Sequence, residues 1–143
     1  MILFGNYVIS FLFNIISMKG GFMFNQVSLV GRLVQDPEIK ILDSGKKVSE
    51  VTLAVRRAFK NMDGEYDTDF IRVTLWEGLA ETVTSYMQKG TLVLVIGRAQ
   101  IRRYDISEER YLNIIEIVAE RVTFLSNPLR KEDESRLDDE SSF

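Results

Sequence analysis

The sequence predicts an all-β fold with one helix, in which five strands close a small barrel. Three observations predict it: runs that alternate between apolar and polar residues, turn residues between those runs, and one stretch of helical periodicity. A chain of 143 residues has room for about one such domain. It contains no Cys and no His, which excludes cysteine nucleophiles, imidazole bases and most zinc sites. Chemistry by carboxylates alone remains possible in principle, but we expect no catalytic residue, no metal site and no cofactor.

The first three strands are predicted before residue 77. Apolar and polar side chains alternate from Val27 to Leu33, and Gly31 within this run indicates a bulge or a tight bend. Residues 47–59 and 66–76 alternate in the same way. The segment Asn61-Met62-Asp63-Gly64 between them is typical of a turn, so the two runs should pair as a hairpin.

One helix and two further strands follow. Apolar residues recur at helical spacing at Leu79, Ala80, Val83, Tyr86 and Met87. Lys89-Gly90 is expected to cap this helix. Residues 91–104 should form a long strand interrupted by Gly97, residues 105–110 a hairpin tip, and residues 111–125 the last strand. The order β-β-β-α-β-β is that of the OB-fold, a five-stranded Greek-key barrel that binds oligonucleotides or oligosaccharides on one face.

Aromatic and basic side chains share one face of two predicted strands. Along residues 70–76, the aliphatic side chains point into the barrel and leave Phe70, Arg72 and Trp76 on the outside. On the predicted strand over residues 91–104, alternation places Arg98, Arg102 and Tyr104 on one face. Strand aromatics are more often core residues, but here the opposite face already supplies the core, and residues 70–76 contain no acid. The pattern favours a platform on which single-stranded bases stack.

Charge is distributed unevenly along the chain. Residues 23–130 contain 15 basic and 15 acidic residues, so phosphate binding must depend on local clusters. The basic residues that we assign to nucleic-acid binding are Arg32, Arg56, Arg57, Lys60, Arg72, Arg98, Arg102 and Arg103.

Five segments, in order, resemble bacterial single-stranded DNA-binding proteins. They are Phe24–Leu33 with Asp36-Pro37-Glu38, Arg57–Asn61, Asp69–Trp76, Leu79-Ala80-Glu81, and Lys89–Val93 with Gly97-Arg98. The resemblance covers residues 23–125 and implies an OB-fold domain that binds single-stranded DNA in replication, recombination and repair. It further implies a homotetramer in the cytoplasm, associated with the nucleoid. The family's stacking aromatics correspond to Phe59, Phe70, Trp76 and Tyr104, whereas Ile71 stands where the family is often polar.

Residues 126–143 lack hydrophobic periodicity and are expected to form a disordered acidic tail. Such a tail can serve solubility alone. The resembled family, however, ends in acids and Pro-Phe, whose ring and carboxylate dock on partner proteins. The resemblance therefore implies that replication and repair proteins bind Asp138, Asp139, Glu140 and Phe143. Ser141 and Ser142 replace the usual apolar residue and Pro, which should weaken docking. The short linker before the tip indicates a shorter paralogue, or a phage- or plasmid-borne copy.

Residues 1–22 form an apolar extension that we interpret as a mis-assigned start. The segment Lys19–Met23 can be encoded by a purine-rich ribosome-binding sequence followed by ATG, and the family resemblance begins at Met23. A membrane or targeting segment and a structured extension are the alternatives, although no basic region precedes the apolar stretch. We expect no membrane association.

Three other functions remain open. A primosome-type OB protein would keep the barrel but usually lacks an acidic tip. An enzyme could use an OB domain to recruit its substrate, yet the sequence offers no phosphate-binding Gly loop and no metal cluster. The pair Asp67 and Asp69 is interpreted as solvated charge and not as a metal site. A membrane-anchored structural protein would depend wholly on residues 1–18.

Overall fold

Alternating apolar residues form strands where the sequence predicts them. The computed structural model describes residues 23–129. Its elements are β1 (Val27–Leu33), β2 (Lys40–Ile41), β3 (Lys47–Arg56), β4 (Thr68–Trp76), α1 (Glu77–Tyr86), β5 (Leu92–Ser107) and β6 (Arg110–Ser126). The predicted extension 1–22 and the tail from residue 130 lie outside the described residues. No helix within residues 23–129 is long and apolar enough to cross a membrane.

Five of the strands close into a ring. The order β1-β5-β6-β4-β3 is completed by antiparallel pairing of β1 with β3, through Arg32 with Ala54 and Leu33 with Leu53. Strands β4 and β6 are the one parallel pair of the ring. Within residues 23–129, this arrangement confirms the predicted barrel with a single helix. The two-residue strand β2 adds to the outer side of β3, and it is too short for sequence periodicity to reveal.

Two glycines allow the barrel to close. A Cβ atom on Gly31 would lie 2.7 Å from the carbonyl oxygen of Ala54, and one on Gly97 would lie 2.1 Å from that of Val118. Both distances are far below van der Waals contact, so neither position accepts a side chain without movement of the backbone. The ladder between β5 and β6 is also irregular at Gly97, as the interrupted strand predicts.

The aliphatic side chains that alternate inward form the core. Leu53, Val73, Leu75, Val93 and Val95 are almost completely buried. Helix α1 adds Ala80 and Val83 to the same cluster. The sequence also predicts Tyr86 on the buried stripe of α1, but this residue occupies the last helical position and is 81% exposed. The apolar stripe therefore ends one turn earlier than its periodicity indicates.

Two boundaries differ from the sequence prediction. The helix ends at Tyr86 with Met87 in an extended conformation, so Lys89-Gly90 is not its cap. Gly90 instead takes a φ of 86° in a turn closed by the hydrogen bond from Thr91 N to Gln88 O. A type II turn requires such a left-handed residue at its third position. The β5–β6 hairpin is also tighter than predicted, because only residues 108 and 109 separate its strands.

Candidate nucleic-acid interface

A groove of about 440 Å³ lies on the outward face of strands β3 to β6. We call it the central groove. Its walls include two aromatic rings, Phe70 and Tyr104, and two guanidinium groups, Arg72 and Arg102. A neighbouring groove of about 270 Å³ shares Arg72 with it and extends past Lys40. The two together form one continuous surface across the sheet.

Strand alternation explains why these four side chains meet. Phe70 and Arg72 leave β4 on the side opposite the buried Val73, as the sequence predicts. Arg102 and Tyr104 leave β5 on the same side of the ring, and β6 lies between the two strands. The rings are accessible, with Phe70 68% exposed and Tyr104 44% exposed. Open aromatic faces of this kind can stack on bases.

A carboxylate at the floor of the groove holds Arg102 in place. The side chain of Glu116 is 13% exposed and accepts hydrogen bonds from Thr74 Oγ1 (2.7 Å), Gln100 Nε2 (3.2 Å) and Arg102 Nη1 (3.4 Å). The same Arg102 nitrogen lies 4.0 Å from Glu50 Oε1. These contacts also explain why Thr74, which points outward in strand register, is buried. Sequence reasoning missed Glu116, because its place opposite Gln100 depends on the register of β5 with β6, which local patterns do not give.

Arg72 differs from Arg102 in its partners. Among the ion pairs within residues 23–129, none involves Arg72, although its side chain lines both grooves. The absence of acids from residues 70–76 is consistent with this result. Arg72 is therefore the cation of the central groove that can contact a phosphate without first leaving a carboxylate.

The β3–β4 loop is ordered by its own ion pairs. Arg57 donates to both carboxylate oxygens of Asp69, at 2.9 and 2.8 Å, and to Asp67 Oδ2 at 3.4 Å. Hydrogen bonding from Arg57 is the main cause of a lowered pKa for Asp69. Asp67 and Asp69 are nearly half exposed, which agrees with their interpretation as solvated charge, and the structure adds that both pair with Arg57. Within residues 23–129 no three acidic side chains are grouped to hold a metal ion.

A second aromatic residue of this loop, Tyr66, was missed by sequence reasoning. The Arg56 guanidinium lies 4.2 Å from the centre of the Tyr66 ring, and the Lys60 ammonium lies 5.6 Å from it. Phe59 projects from the same loop and is 70% exposed. In the sequence Tyr66 lies between Glu65 and Asp67, so no local pattern indicated its contacts with Arg56 and Lys60. The loop therefore presents aromatic and cationic groups outside the central groove.

Four other assigned residues lie apart from the groove. Arg32 donates to Gly90 O at 2.8 Å and so ties β1 to the turn before β5. Arg98 pairs with Glu120, and Arg103 pairs with Asp105 while lying over the Tyr111 ring. Trp76 is half-buried at the junction of β4 and α1 and lines neither groove. The partner-binding residues Asp138, Asp139, Glu140 and Phe143 lie outside the described part of the chain.

Comparison with known proteins gives a consistent result. The single-strand binding protein family matches residues 24–125. Single-stranded DNA-binding protein B of Bacillus subtilis is 47% identical over 103 residues, which cover 72% of this chain and 91% of that protein. The single-stranded DNA-binding protein of Halalkalibacterium halodurans is 47% identical over 103 residues, but these cover only 61% of its length. Single-stranded DNA-binding protein 2 of Staphylococcus aureus is 46% identical over 103 residues, which cover 72% of this chain and 74% of that relative.

These relatives are named for binding and not for catalysis, in agreement with the prediction that the chain is not an enzyme. The matched residues contain every element of the barrel except the last residue of β6. They also contain all four side chains that meet in the central groove. The barrel and its exposed aromatic groove are consistent with these relatives. The match over residues 24–125 shows that the chain belongs to the single-strand binding protein family.

Proposed function

We propose that this protein binds single-stranded DNA with little dependence on sequence. Bases stack on Phe70 and Tyr104 in the central groove, and Arg72 and Arg102 contact phosphates. The observation that carries the proposal is the placement of two exposed rings and two guanidinium groups in one groove. Every base has a π-face, so stacking of this kind tolerates any sequence.

Duplex DNA is a poor ligand for such a groove. Its bases are already stacked on each other, and their faces are closed to protein aromatics. The groove lies across the face of a sheet, where its aromatic rings are open to unpaired bases. The protein should therefore discriminate strongly between single strands and duplexes of equal length.

The loop residues extend the proposed DNA path beyond the central groove. Phe59, Arg56 and Lys60 stand at one end of β3 and β4, next to the Tyr66 ring. Trp76 stands at the other end of β4. A single strand that crosses β4 from one end to the other would meet all of them, and this is our proposal for their role. Four other arginines already have partners within the protein, and each would contact the DNA backbone only by sharing or leaving that partner: Arg32, Arg57, Arg98 and Arg103.

The biological setting is also a proposal. Single-strand binding serves replication, recombination and repair, in the cytoplasm and with the nucleoid. A homotetramer would wrap one strand over several grooves, and the acidic tip with Asp138, Asp139, Glu140 and Phe143 would recruit partner proteins. The B. subtilis, H. halodurans and S. aureus relatives support the binding role by their names.

Titration of the full-length protein with labelled oligo-dT of about 16 nucleotides tests the proposal. Fluorescence anisotropy should show saturable binding of oligo-dT, weakening with salt, and no saturable binding of a duplex at the same concentration. Trp76 is the only Trp of the chain, so quenching of its emission reports separately whether the DNA reaches that residue. Equal binding of oligo-dT and duplex, or no binding by the folded protein, would refute the proposed function.

A further inference from the structure

Two cations of the β3–β4 loop share one aromatic ring. The Arg56 guanidinium lies 4.2 Å from the centre of the Tyr66 ring, and the Lys60 ammonium lies 5.6 Å from it. Both distances are within the range of a cation–π interaction. Arg56 and Lys60 are exposed, whereas Tyr66 is half-buried. The ring therefore brings two charges of the same sign to one place on the surface.

The ion pairs of Arg57 leave these two cations without a carboxylate. Arg57 pairs with both Asp67 and Asp69. In the described part of the chain, no ion pair involves Arg56 or Lys60. Two like charges near each other repel, and an anion that contacts both relieves the repulsion. The two cations are therefore available to an anion that comes from outside the loop.

The backbone of the loop fixes the ring relative to the sheet. Arg57 N donates to Asp67 O at 2.8 Å on one side of Tyr66. Asn61 N donates to Glu65 O at 2.7 Å on the other side. The Asn61 side chain also accepts a hydrogen bond from Glu65 N at 3.0 Å. The ring is thus a fixed support, and the two cations are the ends of long, flexible side chains that it holds.

Phe59 indicates which anion the two cations receive. Its ring is 70% exposed, and it directly precedes Lys60 in the chain. An open ring of this kind can stack on a base of a single strand, and the base brings its phosphate with it. A free inorganic anion would gain nothing from the Phe59 ring. The ligand that fits both the ring and the cations is a nucleotide of single-stranded DNA.

We propose that Tyr66 is a positioning residue, which holds Arg56 and Lys60 together as one phosphate site beside the exposed ring of Phe59. The proposal rests on the proposed binding of single-stranded DNA and adds a site for the DNA backbone at the loop end of β3 and β4. Without the Tyr66 ring, the two long side chains would have to be immobilised during binding, which costs affinity. In this role Tyr66 itself contacts neither a base nor a phosphate.

Titration of the full-length protein and its variants with labelled oligo-dT, at several salt concentrations, tests this role. Tyr66→Leu should weaken binding about fivefold at low salt, the lower end of the cost of immobilising two long side chains. The slope of log affinity against log salt concentration should become smaller in magnitude, because phosphate contacts produce that slope. Tyr66→Gln also lacks the ring and should behave in the same way, which guards against an effect of Leu on folding. Tyr66→Phe keeps the ring and should bind like the wild type.

Tyr111→Leu is the matched control. Arg103 lies 4.1 Å from the centre of the Tyr111 ring, but it is already paired with Asp105 at 2.8 Å. Removal of the Tyr111 ring therefore releases no unpaired cation, and the affinity for oligo-dT should stay at the wild-type value.

A background that carries both Arg56→Ala and Lys60→Ala separates positioning from direct stacking. In that background Tyr66→Leu should have no further effect on affinity. A loss that persists there, with an unchanged salt slope, would mean that the Tyr66 ring itself stacks on a base, and the proposal would fail. Wild-type affinity in Tyr66→Leu, or an equal loss in Tyr111→Leu, would also overturn it while the proposed function stands. If the folded wild-type protein does not bind oligo-dT, the proposed function fails and the role of Tyr66 falls with it.

Discussion

Replacement of Phe70 by Ala should weaken binding of single-stranded DNA without loss of fold stability. Phe70 stands on β4 opposite Ala54 of β3, with its ring over the central groove and 68% exposed. Truncation leaves no cavity, because the ring has no place in the buried cluster around Val73 and Leu75. The variant therefore separates the role of the ring in binding from any role in folding.

The magnitude follows from the stacking free energy of one base. Alanine substitution at an aromatic stacking position costs about 1–3 kcal/mol, which is about 5- to 150-fold in the dissociation constant. Tyr104 remains as a second ring of the same groove, so we expect a loss near the lower half of this range. The free energy of unfolding should change by no more than about 0.5 kcal/mol, as for most exposed positions.

Anisotropy titration with labelled oligo-dT and urea denaturation measure the two quantities. Tyr86→Ala is the matched control, since Tyr86 is also an exposed aromatic residue, on α1, and lines neither groove. Its affinity should equal that of the wild type. A loss of less than about twofold in Phe70→Ala, or an equal loss in Tyr86→Ala, would refute the assignment of the stacking platform.

Three further predictions concern charge, packing and pH. Arg72→Ala should lower the affinity by a similar factor for all DNA sequences, because it removes one phosphate contact. For the same reason, the slope of log affinity against log salt concentration should decrease in magnitude by about 0.7. An unchanged slope would exclude that contact. Gly97→Ala should lower the free energy of unfolding in urea by about 1–3 kcal/mol or more, because its Cβ would meet the Val118 carbonyl; a stability equal to wild type would contradict the close approach. Arg57 lowers the pKa of Asp69, so this carboxylate stabilises the fold above about pH 4, and the stabilisation is lost as the pH falls through the lowered pKa. The difference in melting temperature between wild type and Asp69→Asn should therefore be present at pH 6 and shrink in acid. A difference that persists in acid would contradict this role of Asp69.

The barrel was predictable because residues that point inward and outward alternate along each strand, and the inward ones are apolar. Val73 and Leu75 point inward and Phe70 and Arg72 outward, as a period of two requires. Helix α1 was predictable from Ala80 and Val83 at helical spacing. Strand β2 was not predictable, since two residues carry no periodicity. The end of the helix was misplaced because Gly90 serves a turn, and sequence alone does not distinguish that use from a helix cap.

The site was predictable in its aromatic and basic residues but not in its carboxylates. Phe70, Arg72, Arg102 and Tyr104 follow from side-chain parity on two strands. Their meeting place depends on β6, which separates β4 from β5 in the ring and brings Glu116 between them. Strand order is a long-range property, and local patterns do not contain it. For the same reason Asp67 and Asp69 could not be paired with Arg57 before the hairpin register was known.

The charges of the central groove indicate which force dominates binding. Arg72 and Arg102 face Glu50 and Glu116, so the groove has little net attraction for a polyanion. Stacking on two rings, in contrast, supplies about 2–6 kcal/mol for two bases. Only single strands have free base faces, so a groove that relies on stacking selects against duplex DNA more sharply than a strongly basic surface would. Binding should accordingly be less sensitive to salt than that of a single-strand binding protein that relies on more phosphate contacts, because the salt slope scales with the number of those contacts.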